Sequence, residues 1–118
     1  MHELSISNAI AGVVVEHAQG RSVETVEVRI GALRRVLPAG LTSCWDVVRR
    51  RPELERSVLH VELVPGVVHC TACGRRSGLT GVRLRCPACG DGQVRVVHGE
   101  ECLVTSIDLA EPGPGRTA

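Results

Sequence analysis

Two short stretches of the chain bring thiols together at a spacing that suits metal chemistry. Cys70-Thr71-Ala72-Cys73-Gly74 and Cys86-Pro87-Ala88-Cys89-Gly90 are CxxC turns, each followed by glycine, with twelve residues between Cys73 and Cys86. A CxxC turn sets two thiolates on one side of a tight loop. The glycine after it permits a left-handed backbone that aims amides at sulfur. Two such turns facing each other form a tetrahedral sulfur cage, the usual structural zinc arrangement. Four protein ligands leave no open position for a substrate, so the expected role is architectural. Disulfides are the competing use of these cysteines, disfavoured in a reducing compartment. Iron, as in rubredoxin-like electron carriers, is another. Those carriers usually pack aromatic side chains around the metal, and residues 66–99 contain none.

A second set of donors lies at the opposite end of the chain, in Met1-His2-Glu3. The terminal amine, the His2 amide nitrogen and the His2 imidazole can chelate one ion through adjacent five- and six-membered rings. The Glu3 amide or carboxylate completes a plane of four. Nitrogen- and oxygen-rich square-planar sites suit Ni(II) and Cu(II). Because the amide must lose a proton, such binding weakens as pH falls. A histidine at position two is, taken alone, an ordinary exposed terminal residue.

The remaining candidates read more simply. Cys44 belongs to an apolar stripe with Leu41 and Val48 and is expected as a small buried hydrophobe. Cys102 opens a strand as a free thiol, since the cage is already full. His17 suits the negative end of a helix, and His60 should face solvent. His69 and His98 flank the cysteine module, with nothing to fix them on a metal. Arg49-Arg50-Arg51 ends a helix, where cations are stabilised by roughly 0.3–1 kcal/mol.

These groups must be held by the elements around them. Apolar residues at Ile6, Ile10, Val13, Val14 and His17 recur every three or four positions, predicting a helix over residues 4–18 with Ser5 or Ser7 as cap and Gly20 as stop. Val26, Val28 and Ile30 alternate with polar residues as a strand that Gly31 ends. Leu41, Cys44, Trp45 and Val48 predict a second helix, with Pro38 in its first turn and Pro52 after its end. Leu59, Val61 and Leu63 form a second strand. After Pro65-Gly66 comes the cysteine module, residues 66–99, and then a last strand in which Leu103, Thr105, Ile107 and Leu109 alternate with Val104, Ser106 and Asp108. The expected fold class is α+β: two helices on a three-stranded sheet, with a zinc-ribbon module inserted before the last strand. Residues 1–65 with 100–111 would make one discontinuous domain, residues 66–99 a second, and residues 112–118 a disordered tail.

Composition narrows the function classes. The chain has 118 residues, 14 arginines, no lysine, 13 acids and a formal charge of +1. Nineteen valines and one tryptophan stand against no phenylalanine or tyrosine, which argues against an aromatic base-stacking surface. Residues 66–99 carry five arginines against one acid, Asp91. That surplus is the one feature favouring nucleic acid, and it could equally steer an acidic protein. No run approaches the roughly 18 apolar residues of a membrane span, and no secretory signal is evident, so a cytoplasmic protein is expected. No nucleophile–base pair, phosphate-binding loop or HExxH helix suggests an enzyme.

As a whole the pattern resembles the HypA/HybF family of nickel metallochaperones for hydrogenase maturation. The resemblance runs from the opening Met1-His2-Glu3-Leu4-Ser5-Ile6 through Val28-Arg29-Ile30-Gly31 and both CxxCG turns to Ser106-Ile107-Asp108. It implies that His2 and Glu3, with the Met1 amine, take part in binding Ni(II) as transient cargo, and that Cys70, Cys73, Cys86 and Cys89 hold structural Zn(II). It implies delivery to the large subunit of a [NiFe] hydrogenase, with a HypB-type GTPase as partner and with self-association open. Where family members carry acids after the strand glycine, this chain has Ala32 and Leu37.

Overall fold

A computed structural model describes residues 3–81 and 83–111. Met1 and His2 of the proposed nickel claw and the tail 112–118 lie outside the described residues. Helix α1 (Glu3–Ala18) is followed by strand β1 (Val23–Gly31), a 3-10 turn (Ala32–Arg34), helix α2 (Pro38–Val48), a second 3-10 turn (Pro52–Leu54) and strand β2 (Val58–Val64). Strands β3 (Val67–Cys70), β4 (Arg76–Gly78) and β5 (Val94–His98) belong to the cysteine module, and β6 (Cys102–Leu109) closes the chain. The strands sort into two sheets, ordered β2-β1-β6 and β4-β3-β5. In the first, β1 runs parallel to β2 and antiparallel to β6, so the last strand returns past the inserted module to the sheet of the first two.

Both helices lie on one face of the first sheet, and the core sits between these layers. Ile6, Ile10, Ala11 and Val14 of α1 meet Val26, Val28 and Ile30 of β1, with Leu41, Trp45 and Val48 of α2 and Leu54 from the turn beyond. Pro38 occupies the first turn of α2, as its fixed φ favours. At the end of α1, Gln19 (φ 50°) and Gly20 (φ 81°) both turn left-handed, and the Arg21 amide donates to Ala18 O at 3.0 Å.

Four details differ from the periodic reading. Val13 and His17 are exposed; Ser7, Ala11 and Ala18 fill the stripe instead, because close helix–helix packing there selects small side chains. Ser5 and Ser7 are not caps, since α1 already begins at Glu3; buried Ser7 donates from Oγ to Leu41 O at 3.4 Å. In β6 the strict alternation fails. Register against β1 slips between Glu27 and Val28, whose partners are Ser106 and Val104, leaving Thr105 as an extra residue. A bulge of this kind shifts the inward phase by one residue. Val104, Ile107 and Leu109 therefore pack against the core, while Leu103 and Thr105 face out. In β2, Leu59 is buried and Val61 partly so, but Leu63 is exposed.

Trp45, the one aromatic residue, is buried with its polar edge matched. Its Nε1–H donates to Ser57 Oγ at 2.9 Å, and that hydroxyl donates to Leu54 O at 2.6 Å. Arg49 closes the end of α2: its amide donates to Trp45 O, and its guanidinium meets Asp46 and Ser57 O.

Candidate metal centres

The two CxxCG turns are built alike, hydrogen bond for hydrogen bond. In the first, the Gly74 amide donates to Cys70 O at 2.8 Å and the Cys70 amide to Arg75 O at 2.9 Å. In the second, Gly90 donates to Cys86 O at 2.8 Å and Cys86 to Asp91 O at 2.9 Å. Gly74 (φ 76°) and Gly90 (φ 79°) both adopt the left-handed backbone that a side chain would strain. The Cys73 amide points at Cys70 Sγ, 3.4 Å away. Strand pairing brings the two turns face to face: β3 delivers Cys70 opposite Val94 of β5, and Thr71 is tied to Gln93 O through both its amide and its hydroxyl.

All four sulfurs lie within 4.8 Å of one another. Cys70 Sγ is 3.7 Å from Cys89 Sγ, and Cys73 Sγ is 3.6 Å from Cys86 Sγ. A tetrahedral ion with metal–sulfur bonds near 2.3 Å requires sulfur–sulfur edges of about 3.8 Å. A disulfide requires about 2.05 Å. The spacing fits a four-thiolate metal site and not a bridge. Cys70 and Cys86 are buried, whereas Cys73 and Cys89 reach the surface, which leaves a side from which an ion can enter.

The environment divides the thiols. Amides of Cys89 and Ala88 aimed at Cys86 lower its pKa to about 7. The Asp91 amide acts in the same sense on Cys89, but desolvation and the neighbouring thiols together push that group up to about 12. Cys86 is thus poised to lose its proton near neutral pH while Cys89 holds its own, and an entering divalent ion must displace that proton. Little else holds the module: Val68, Cys70 and Cys86 are its buried apolar residues among those described.

Of the amino-terminal donors, only Glu3 is described. It is half-buried, and its side chain crosses the first turn of α2; a Cβ placed on Gly40 would lie 3.1 Å from Glu3 Cγ and 3.4 Å from its Oε1. No side chain caps α2 at Leu37, so the Glu3 carboxylate stands by the positive end of a helix whose first amides are uncapped. Gly40 was not visible as part of a site from sequence, where a glycine inside a helical stripe carries no label. Ala32 lies in the 3-10 turn directly after β1, and Leu37 is 70% exposed.

The junction between the two sheets also escaped the sequence reading. Gly31, at the end of β1, touches Gly99 backbone to backbone, and a Cβ on Gly99 would meet Gly66 Cα at 2.8 Å. The Gly31 amide donates to Glu101 O and the Leu33 amide to Gly99 O, both at 2.8 Å, while Arg34 Nε donates to Glu100 O at 2.7 Å. Glu101 folds back onto the same turn, its Oε1 accepting from the Gly99 amide at 2.7 Å and its Oε2 lying 3.3 Å from His98 Nδ1. The clue in the sequence was the glycine at each end of the inserted module.

The other candidates fall as follows. Cys102 is exposed, and so is His60, as expected of the latter. Cys44 is half-buried rather than fully inside, at the margin of the α2 stripe. His17 is exposed, and its Nδ1–H donates to Val13 O at 2.8 Å. Neither His69 nor His98 joins the sulfur cluster.

Comparison with known proteins decides the family. Residues 1–109 match the family described as HypA, hydrogenase/urease nickel incorporation, metallochaperone. The chain belongs to the HypA family. The hydrogenase maturation factor HypA of Geobacter metallireducens is 38% identical over 109 residues, covering 92% of this chain and 99% of that one. HypA of a Nostoc species is 33% identical over 111 residues, covering 94% and 97%. The solution structure of the nickel metallochaperone HypA from Helicobacter pylori shares the fold at a TM-score of 0.67 and 20% identity, covering 92% of this chain and 97% of that one. Two helices, a three-stranded sheet and a four-cysteine module before the last strand are thus the HypA architecture. A HypA chain is a nickel metallochaperone for hydrogenase maturation, and in this one no helix among the described residues is long and apolar enough to cross a membrane.

Proposed function

We propose that this chain carries Ni(II) at its amino terminus, through His2 and Glu3 with the Met1 amine, and gives it up for maturation of a [NiFe] hydrogenase large subunit. Cys70, Cys73, Cys86 and Cys89 hold zinc as a structural ion, and the chain catalyses no reaction of its own. The supporting observation is the pairing, in a HypA-family chain, of a His2-Glu3 opening with a separate, closed four-sulfur cage. The two sites differ as their tasks require. Four thiolates fill a tetrahedral ion and hold it, whereas a planar set of nitrogen and oxygen donors at a chain end can be dismantled by a competing ligand. Ala32 and Leu37 offer no carboxylate, so the cargo site consists of the terminal residues plus whatever the receiving protein supplies. That favours release.

Residues 1–65 with 100–111 then form the nickel-binding domain and residues 66–99 the zinc domain, in a cytoplasmic protein that works with a HypB-type GTPase. Elemental analysis of untagged protein after nickel loading tests the reading. The expected result is about one nickel per chain beside one zinc, with nickel lost and zinc kept in His2→Ala. Acetylating the terminal amine should have the same effect. Undiminished nickel in either form would sink the terminal site, and a red, visible-absorbing protein would replace zinc by iron.

A further inference from the structure

The zinc-ribbon sheet carries a row of basic side chains that neither metal site uses. In the order β4-β3-β5, His69 pairs with Arg76 on one side and with Arg95 on the other. Directly paired residues in antiparallel strands project from the same face. Arg76, His69 and Arg95 therefore stand side by side across three strands. Their neighbours in β3, Val68 and Cys70, are buried on the opposite face, so the row points away from the sulfur cage and does not serve to neutralise it. Both arginines are exposed, and none of the module's arginines enters an ion pair among the described residues. Asp91, the only acid in residues 66–99, spends Oδ1 on the Gln93 amide at 2.8 Å.

We propose that this row is a docking surface for an acidic helix of a partner protein. Neighbouring strands lie about 4.8 Å apart, so the row places cationic or N–H donor groups at steps of about 5 Å over a span of about 10 Å. Carboxylates at i and i+4 of a helix have Cβ atoms about 5–6 Å apart, which matches that step. Each guanidinium can take one carboxylate through two parallel hydrogen bonds, and His69 adds a donor between them. A duplex nucleic acid would be held by charge too, but the other arginines of the module lie off the row, and for a single strand no aromatic residue is there to stack on bases. The proposal is independent of nickel binding, and its test needs none.

The test uses the full-length protein as purified and a fluorescent alanine-rich helical peptide with glutamates at three successive i, i+4 positions. Anisotropy at about 50 mM salt should show binding that is lost in the matched glutamine peptide. Arg76→Ser combined with Arg95→Ser should weaken it at least about tenfold. Arg83→Ser combined with Arg85→Ser removes equal charge off the row and should change it less than about twofold. Circular dichroism and metal content certify that both pairs of variants remain folded. Equal losses in the two pairs would mean nonspecific charge attraction and overturn the row. So would tighter binding of a random-sequence DNA duplex than of the peptide, or no binding to either probe.

Discussion

Gly31 and Gly99 touch through their backbones, and that contact joins the end of β1 to the chain as it leaves the cysteine module. A methyl group on Gly31 would collide with the Gly99 carbonyl, which is fixed in turn by the Leu33 amide at 2.8 Å. Neither side can yield by rotating a flexible side chain. Gly31→Ala should therefore cost about 3 kcal/mol or more, at or beyond the upper end of overpacking penalties. Gly81, with open space around it, is the control: Gly81→Ala should stay within about 0.5 kcal/mol. Urea denaturation of the two variants measures the difference.

Glu101 gives the same junction a pH dependence. Its own amide and that of Gly99, with His98 alongside, hold its carboxyl below the ordinary 4.5. A depressed acid stabilises the folded state above its ordinary value, and the contribution disappears as pH falls through the depressed one. The stability gap between the native chain and Glu101→Gln should accordingly narrow steadily as pH falls below about 5. A gap that widened on acidification would remove the carboxylate from this role.

Much of this was legible beforehand, and the exceptions share a cause. Pro38, the Leu41–Val48 stripe and the two CxxCG turns follow from local rules, since a helix period or a loop geometry needs only neighbouring residues. The bulge at Thr105 and the inward position of Ser7 depend instead on strands and helices that arrive from far away in the chain. The same holds for Gly40 and for the contact of Gly31 with Gly99 and Gly66. A glycine whose missing side chain makes room for a distant segment looks like any other glycine. The donor atoms of Met1-His2-Glu3 allow a chelate by local chemistry alone, but a histidine at a chain end is ordinary, and it took the family resemblance to single out His2.

Trp45 allows the two sheets to be followed separately. As the one aromatic residue it reports, by fluorescence, on the helical layer alone, and it lies among core residues that owe nothing to the sulfur cage. Stripping the zinc proposed for the sulfur cage with a chelator should abolish amide exchange protection in residues 67–98 while leaving Trp45 emission unchanged. Loss of the native emission at the same chelator concentration would show that the sheets fold as one unit.

The hydroxyl beneath that indole is a sharper probe of the core. Ser57→Ala removes the acceptor of the Trp45 N–H, which has no water to turn to at 2% exposure. The variant should lose about 1–3 kcal/mol, the cost of an orphaned buried donor, with a shift in Trp45 emission. Ser57→Thr keeps the acceptor and should recover part of the loss.

Gly40 separates the stability of α2 from the part proposed for Glu3 in nickel binding. Alanine is the better helix former by up to about 1 kcal/mol, and the atoms its Cβ would meet are those of the flexible Glu3 side chain. Gly40→Ala should therefore leave the fold as stable or slightly more so, yet displace Glu3 from the first turn of α2. If Glu3 binds nickel from its present position, affinity should fall several-fold, about 1 kcal/mol in binding free energy, in a protein that unfolds no earlier. A variant with raised stability and unchanged nickel affinity would mean that Glu3 contributes its backbone amide, or nothing, to the metal.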